Sequence, residues 1–168
     1  MNKKDCSQDK VLTGQGVALL YLNRLDEADS AFIKAHRINP RNVRAKVDRG
    51  AVVFLRGHYK DAISIYTTNM ELLPKHEETF SWGSHALDNL GWSYFNTGQY
   101  EKALNIFSKL EKYHAKPIYP IVFNGLGWSF FYLKQYQKSK SAFHHALVLD
   151  PGNVSARDGL LSIARIGG

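Results

Sequence analysis

LGWSYFNTGQYEKALNIF (residues 90–107) and LGWSFFYLKQYQKSKSAF (residues 126–143) are near copies thirty-six residues apart, which sets Gly91 on Gly127, Trp92 on Trp128, Tyr100 on Tyr136 and Phe107 on Phe143. Self-similarity at a fixed spacing marks a repeat architecture. Two further copies lie upstream. Gly16 is followed by Ala28, Phe32 and Pro40, and Gly50 is followed at the same offsets by Ala62, Tyr66 and Pro74. Within a copy, apolar residues recur at three- and four-residue intervals in two runs, Leu87, Leu90 and Tyr94 and then Ala103, Phe107 and Leu110. This is the spacing of a buried helical face, so each copy predicts two amphipathic helices joined as a hairpin.

A glycine inside a helix costs about 0.5–1 kcal/mol relative to alanine, so four at one register must be offset by packing. The small residue of each first helix (Gly16, Gly50, Gly91, Gly127) is expected to face the small residue of the second (Ala28, Ala62, Ala103, Ser139). That lets the backbones approach, while the aromatic four positions later fills the space towards the next hairpin. Pro40, Pro74 and Pro151 are expected to end the second helices, because proline lacks the amide hydrogen and disfavours helix in the residue before it. In the third copy Ala115 stands where proline is expected and Pro117 follows two residues later, which displaces the exit through a longer helix or an altered turn.

Glycine, alanine, aromatic and proline in this order, with Gly16 and Gly50 thirty-four residues apart, resemble the tetratricopeptide repeat. The resemblance spans nearly the whole chain, with repeats at 9–42, 43–76, 84–117 and 120–153, a leader over 1–8 and a terminal helix over 154–166. It implies a single all-α domain, 9–168, of about nine helices, arranged as a right-handed superhelical solenoid of antiparallel helical hairpins. Seven residues, 77–83, are inserted before the third repeat; an early start to its first helix, carrying Phe80 and Trp82, is preferred to a loop. In the second repeat two large apolar positions are held by Lys46 and Arg49. Snorkelling side chains account for them, and a basic patch with Arg41 and Arg44 is the sharper alternative.

Composition narrows the function classes. The 168 residues are 44% hydrophobic and 22% charged, the make-up of a folded chain, and no window approaches eighteen consecutive apolar residues. The opening MNKKDCSQDK lacks the apolar stretch of a secretory signal, so a cytoplasmic protein is expected. Cys6, the one cysteine, cannot form an internal disulfide, and no Cys/His set has zinc-finger spacing, so no metal or cofactor is expected. The net charge of +7 is spread among interleaved acidic and basic residues, which makes nucleic acid a distant third choice of partner.

The resemblance directs attention to repeat positions 2, 5, 9, 12 and 13, which line the concave groove in this family. On this chain the resulting candidates for partner binding are Tyr21, Arg44, Phe54, His85, Asp88, Trp92, Phe95, Asn96, Asn124, Trp128, Phe131 and Tyr132, with Asn89 as a neighbouring hydrogen-bonding group. The rings among them, which the repeat does not need for its own packing, suggest a groove for an extended or helical segment of another protein. The alternatives are rings packed on their own neighbours and a self-assembling unit whose partner is a second copy. The basic and amide clamp by which some members hold a chaperone's acidic C-terminus is absent, its positions being Thr13, Val17, Asp48, His85 and Asn89. Catalysis is not expected. His144 and His145 are adjacent and diverge by about 100° on a helix, HEETF lacks the second histidine of a zinc-protease motif, and no phosphate loop or nucleophile elbow is present.

Overall fold

The structure, a computed structural model, describes residues 3–70, 80–113 and 119–167. Among them are nine helices and no strand: α1 Lys3–Tyr21, α2 Leu25–Ile38, α3 Val43–Leu55, α4 Tyr59–Asn69, α5 Phe80–Asn96, α6 Tyr100–Tyr113, α7 Pro120–Tyr132, α8 Tyr136–Leu149 and α9 Val154–Gly167. Residues 80–83 of the insertion are helical, the start of α5, while 77–79, Pro74 and the displaced exit at Ala115 and Pro117 lie outside the described residues. The chain forms two compact units, Met1–Asn89 and Leu90–Gly168.

Every hairpin turns in the same way. A left-handed residue follows the first helix: Asn23 at φ 56°, Gly57 at 77°, Gly98 at 75° and Lys134 at 59°. Around each, two backbone bonds close the helix end, as in Arg24 N–H to the Leu19 carbonyl and Asn23 N–H to that of Leu20, repeated at His58 and Gly57, Gln99 and Gly98, and Gln135 and Lys134. This paired closure satisfies carbonyls that a helix end would otherwise leave open.

The prolines act as expected where they are described. Asn39 before Pro40 and Asp150 before Pro151 are extended, at φ −134° and −140°, so α2 stops at Ile38 and α8 at Leu149. The same turns start the next helix: Asn42 Oδ1 accepts from Ala45 N–H at 3.0 Å, and Asn153 Oδ1 from Ala156 N–H at 2.9 Å.

The glycine register is decided by rings more than by small residues. A Cβ built on Gly16 would lie 2.5 Å from Phe32, on Gly50 2.8 Å from Tyr66, on Gly91 2.8 Å from Phe107 and on Gly127 2.4 Å from Phe143. The aromatic of the second helix thus occupies the space the missing side chain leaves in its own hairpin, a contact the sequence reading assigned to the small residue opposite. The small positions are nonetheless sealed, with Ala28, Ala62, Ala103 and Ser139 fully buried, and Ser139 Oγ donates to the Gly127 carbonyl at 2.8 Å across the hairpin. The rings also reach forward, as expected. Phe107 lies where a side chain on Gly125 would stand, and Phe143 where one on Gly159 would. Each of these rings is gripped between two glycines, one from its own hairpin and one from the helix that follows.

Where the second repeat carries tyrosine instead, the glycine that would grip it from the next hairpin is replaced by Asn89, whose Nδ2 donates to the Tyr66 hydroxyl at 3.1 Å. Burial pushes the Tyr66 phenol well above the usual tyrosine range, and the hydroxyl stays protonated. Elsewhere in the first unit, buried Asp9 pins α1 to the turn between α2 and α3 by accepting from Asn39 and Asn42 at 2.9 and 2.8 Å.

Candidate functional site

The candidates divide between the two units. In the second, α5 contributes Trp92 and Phe95, and α7 contributes Trp128, Phe131 and Tyr132, all placed by the registers that put glycine at 91 and 127. The structure brings these five rings together. Phe95 meets Trp92 at 5.4 Å and Tyr132 at 5.5 Å, edge to face, and Trp128 meets Phe131 at 5.5 Å. The cluster stands on the core, Trp92 against Phe107 at 5.3 Å and Trp128 against Phe143 at 5.2 Å. Four of the rings are half-buried, and Tyr132 is 49% exposed. Internal packing therefore accounts for part of each ring and leaves the remainder open.

Two rings that the sequence reading passed over complete the cluster. Tyr100 stacks on Tyr132 at 4.7 Å with 12° between planes, and Tyr136 packs on Phe131 at 5.8 Å. Each opens the second helix of its hairpin. Their signal in the sequence is the alignment of Tyr100 with Tyr136, which by itself shows only the period.

The polar groups of this cluster differ in state. Trp128 Nε1 donates to Ser155 Oγ of α9 at 2.9 Å, a partner that sequence reasoning missed. The residue of α7 at the register of Ser155 is Ile121, which offers no acceptor, and Trp92 Nε1 is buried without a hydrogen-bond partner. Asn124, 8% exposed, keeps an unpartnered Oδ1. Asn96 is turned to its own helix, donating to the Trp92 carbonyl at 2.8 Å.

The first-unit candidates do not form a comparable cluster. Tyr21 is 82% exposed. Phe54 meets Tyr59 edge to face at 5.7 Å. Arg44 Nε pairs with Asp48 of its own helix at 3.2 Å; burial pushes the Asp48 carboxyl up, against the pull of Arg44 and, more weakly, of His85. His85 is exposed, Asp88 is half-buried and engaged, and Asn89 serves Tyr66. Among the described residues no group of three or more His, Cys, Asp or Glu could hold a metal ion, and no helix is long and apolar enough to cross a membrane.

Comparison with known proteins agrees with this architecture. Two family models described as tetratricopeptide repeat match residues 13–68 and 85–116, together just over half of the chain. No curated protein matches. Among solved structures, MamA (41-end) from Desulfovibrio magneticus is similar at 20% identity and a TM-score of 0.70, over 87% of this chain and 77% of that one. A tetratricopeptide repeat protein from Parabacteroides merdae is 21% identical with a TM-score of 0.71, over 94% of this chain and 59% of that one. TTC0263, a thermophilic protein of the same repeat type from Thermus thermophilus, is 21% identical with a TM-score of 0.64, over 95% and 83%. The helical hairpins, the recurrent glycine–ring grip and these matches agree: the chain is an all-α helical-hairpin solenoid protein and belongs to the tetratricopeptide repeat family.

Proposed function

We propose that this protein is a non-catalytic adaptor whose second unit docks an extended or helical segment of a partner protein on the aromatic strip of α5 and α7. Family membership supports a protein-interaction or scaffold role, since proteins of this repeat type are generally non-catalytic adaptors. The observation that carries the finer reading is the connected cluster of Trp92, Phe95, Trp128, Phe131 and Tyr132, four of its rings half-buried and Tyr132 exposed. Rigid aromatic side chains bury large apolar area at little entropic cost, which is why they dominate binding energy at interfaces. The mechanism is association with no bond made or broken. Trp92 and Trp128 are the central contacts and Phe95, Phe131 and Tyr132 the walls, while Asn124, expected from the sequence as a polar anchor, is buried and has its Oδ1 out of a partner's reach.

Capture from the native host with the wild type beside a Trp92→Ala/Trp128→Ala double variant tests this. Trp128 also packs on Phe143, so Tyr132→Ala, at an exposed ring, serves as the milder companion. Partners retained by the wild type are expected to be lost by the double variant and weakened about tenfold by the single one, with helical circular dichroism unchanged. Equal retention by all three would remove the strip from the interface.

A second reading, a self-assembling unit, is favoured by apolar side chains left exposed on α9, namely Leu161 at 57% and Ile166 at 52%. Repeat units bury apolar faces against a neighbouring unit, and a second copy could supply that neighbour here.

A further inference from the structure

In the first unit the packing of α3 against α2 and α4 is incomplete, for a reason written in the second repeat. Lys46 and Arg49 stand four and one residues before Gly50; the same registers before Gly91 hold Leu87 and Leu90, and before Gly127 hold Phe123 and Leu126. Leu90, Phe123 and Leu126 are buried, so in the third and fourth copies large apolar side chains fill this register, as Leu12 partly does in the first, where the position before Gly16 is the exposed Gln15. A lysine and an arginine cannot be sealed there, because their charged ends must reach water or a counter-ion. What remains is a cavity of about 320 Å³ with Phe32, Ile33 and Ile65 on its wall and Lys46, Arg49 and His36 around it. A cavity of this size is within the range that holds small ligands.

The charge of the cavity is one-sided. From α2 it presents His36, from α3 Lys46 and Arg49, and from α4 only Ile65 and Asn69, neither of which titrates. Lys46 makes no ion pair among the described residues. Arg49 is held by Asp29 of α2 through Nε at 2.7 Å, which orients the guanidinium and leaves its Nη donors for another acceptor. His36 Nδ1 is buried without a hydrogen-bond partner.

We propose that this cavity binds a carboxylate carried on a small apolar body, with the apolar body against Phe32, Ile33 and Ile65 and the carboxylate between Lys46 and Arg49. The C-terminus of a peptide ending in a hydrophobic residue and a free arylalkyl acid share this chemistry. A purely apolar ligand would leave Lys46 without a counter-ion, and an inorganic anion would leave the apolar wall exposed. The cavity shares no residue with the aromatic strip, so its fate is independent of the adaptor reading. His36 supplies an internal reporter: burial first, then Lys46 and Arg49, hold its imidazole below the ordinary value, and a bound anion would raise it again.

Titration of the full chain with 3-phenylpropionate, followed by the NMR signals of His36, tests the proposal. A short peptide ending in Phe as the free acid, and the same peptide as its C-terminal amide, form the second arm. A saturable change is expected, with the His36 midpoint moved upward at saturation. The Lys46→Leu variant, which places at 46 the residue type found at 87, should bind at least about tenfold more weakly, and Lys46→Arg should restore binding. Tighter binding of the peptide acid than of phenylpropionate identifies a protein C-terminus as the source, and the reverse identifies a free acid. The proposal is overturned if no saturation is seen at millimolar ligand, if the amide or 3-phenylpropanol binds as well as the acids, if chloride or sulfate gives the same response, or if folded Lys46→Leu binds unchanged.

Discussion

A glycine in a helix has opposite consequences in this chain depending on what stands beside it. Gly127 lies under the buried ring of Phe143, 2.4 Å from where a Cβ would be, whereas Gly14 in α1 has nothing within 4 Å. Alanine at either position gains about 0.5–1 kcal/mol of helix propensity. At 127 the added carbon also forces a fully buried ring to move, an overpacking cost of typically 1–3 kcal/mol. Urea unfolding is therefore expected to show Gly127→Ala less stable than wild type and Gly14→Ala more stable, and a shift of the same sign in both would contradict the ring-grip account. The glycine register was legible in the sequence, but its partner was not. Gly16, Ala28 and Phe32 are all near one another in a hairpin, and only coordinates decide which side chain fills the gap.

At the scale of the element, α9 does more than follow the last repeat. Its Gly159 grips Phe143 from the far side, and its Ser155 accepts the indole N–H of Trp128. Removing that acceptor in Ser155→Ala leaves a part-buried donor unmet, which is expected to cost about 1–2 kcal/mol, seen as a lower urea midpoint. The aligned position on α7 is Ile121, so Ile121→Ser offers Trp92 the acceptor it lacks and should change stability far less, the gained bond offsetting the lost apolar side chain. Equal losses in the two variants would show that the indole bond contributes nothing. Pro40 and Pro151 mark the ends of α2 and α8 in the sequence itself, because the constraint of proline on its predecessor is local. The Trp128–Ser155 bond spans twenty-seven residues and has no local signal.

For the molecule as a whole, the question is whether the open surfaces meet another protein or another copy. The adaptor reading expects sedimentation at the monomer mass over a wide concentration range. The exposed Leu161 and Ile166 of α9 set the competing outcome. A mass that rises with concentration, and returns to the monomer value in Leu161→Glu, would assign the work to self-assembly and leave the aromatic strip a subsidiary role.

Periodicity was enough to read the helices and their hairpin pairing, since a buried helical face and a proline stop are written within a few neighbouring residues, and the recurring order of glycine, alanine, aromatic and proline carried the resemblance to the family. Folding in three dimensions decided which side chains meet. It turned Asn89 towards Tyr66, gave Trp128 a partner and left Trp92 without one, added Tyr100 and Tyr136 to the strip, and opened a cavity behind Lys46 and Arg49. These outcomes depend on which side chains from distant helices compete for the same space, and a chain of letters does not contain that competition until the helices are stacked.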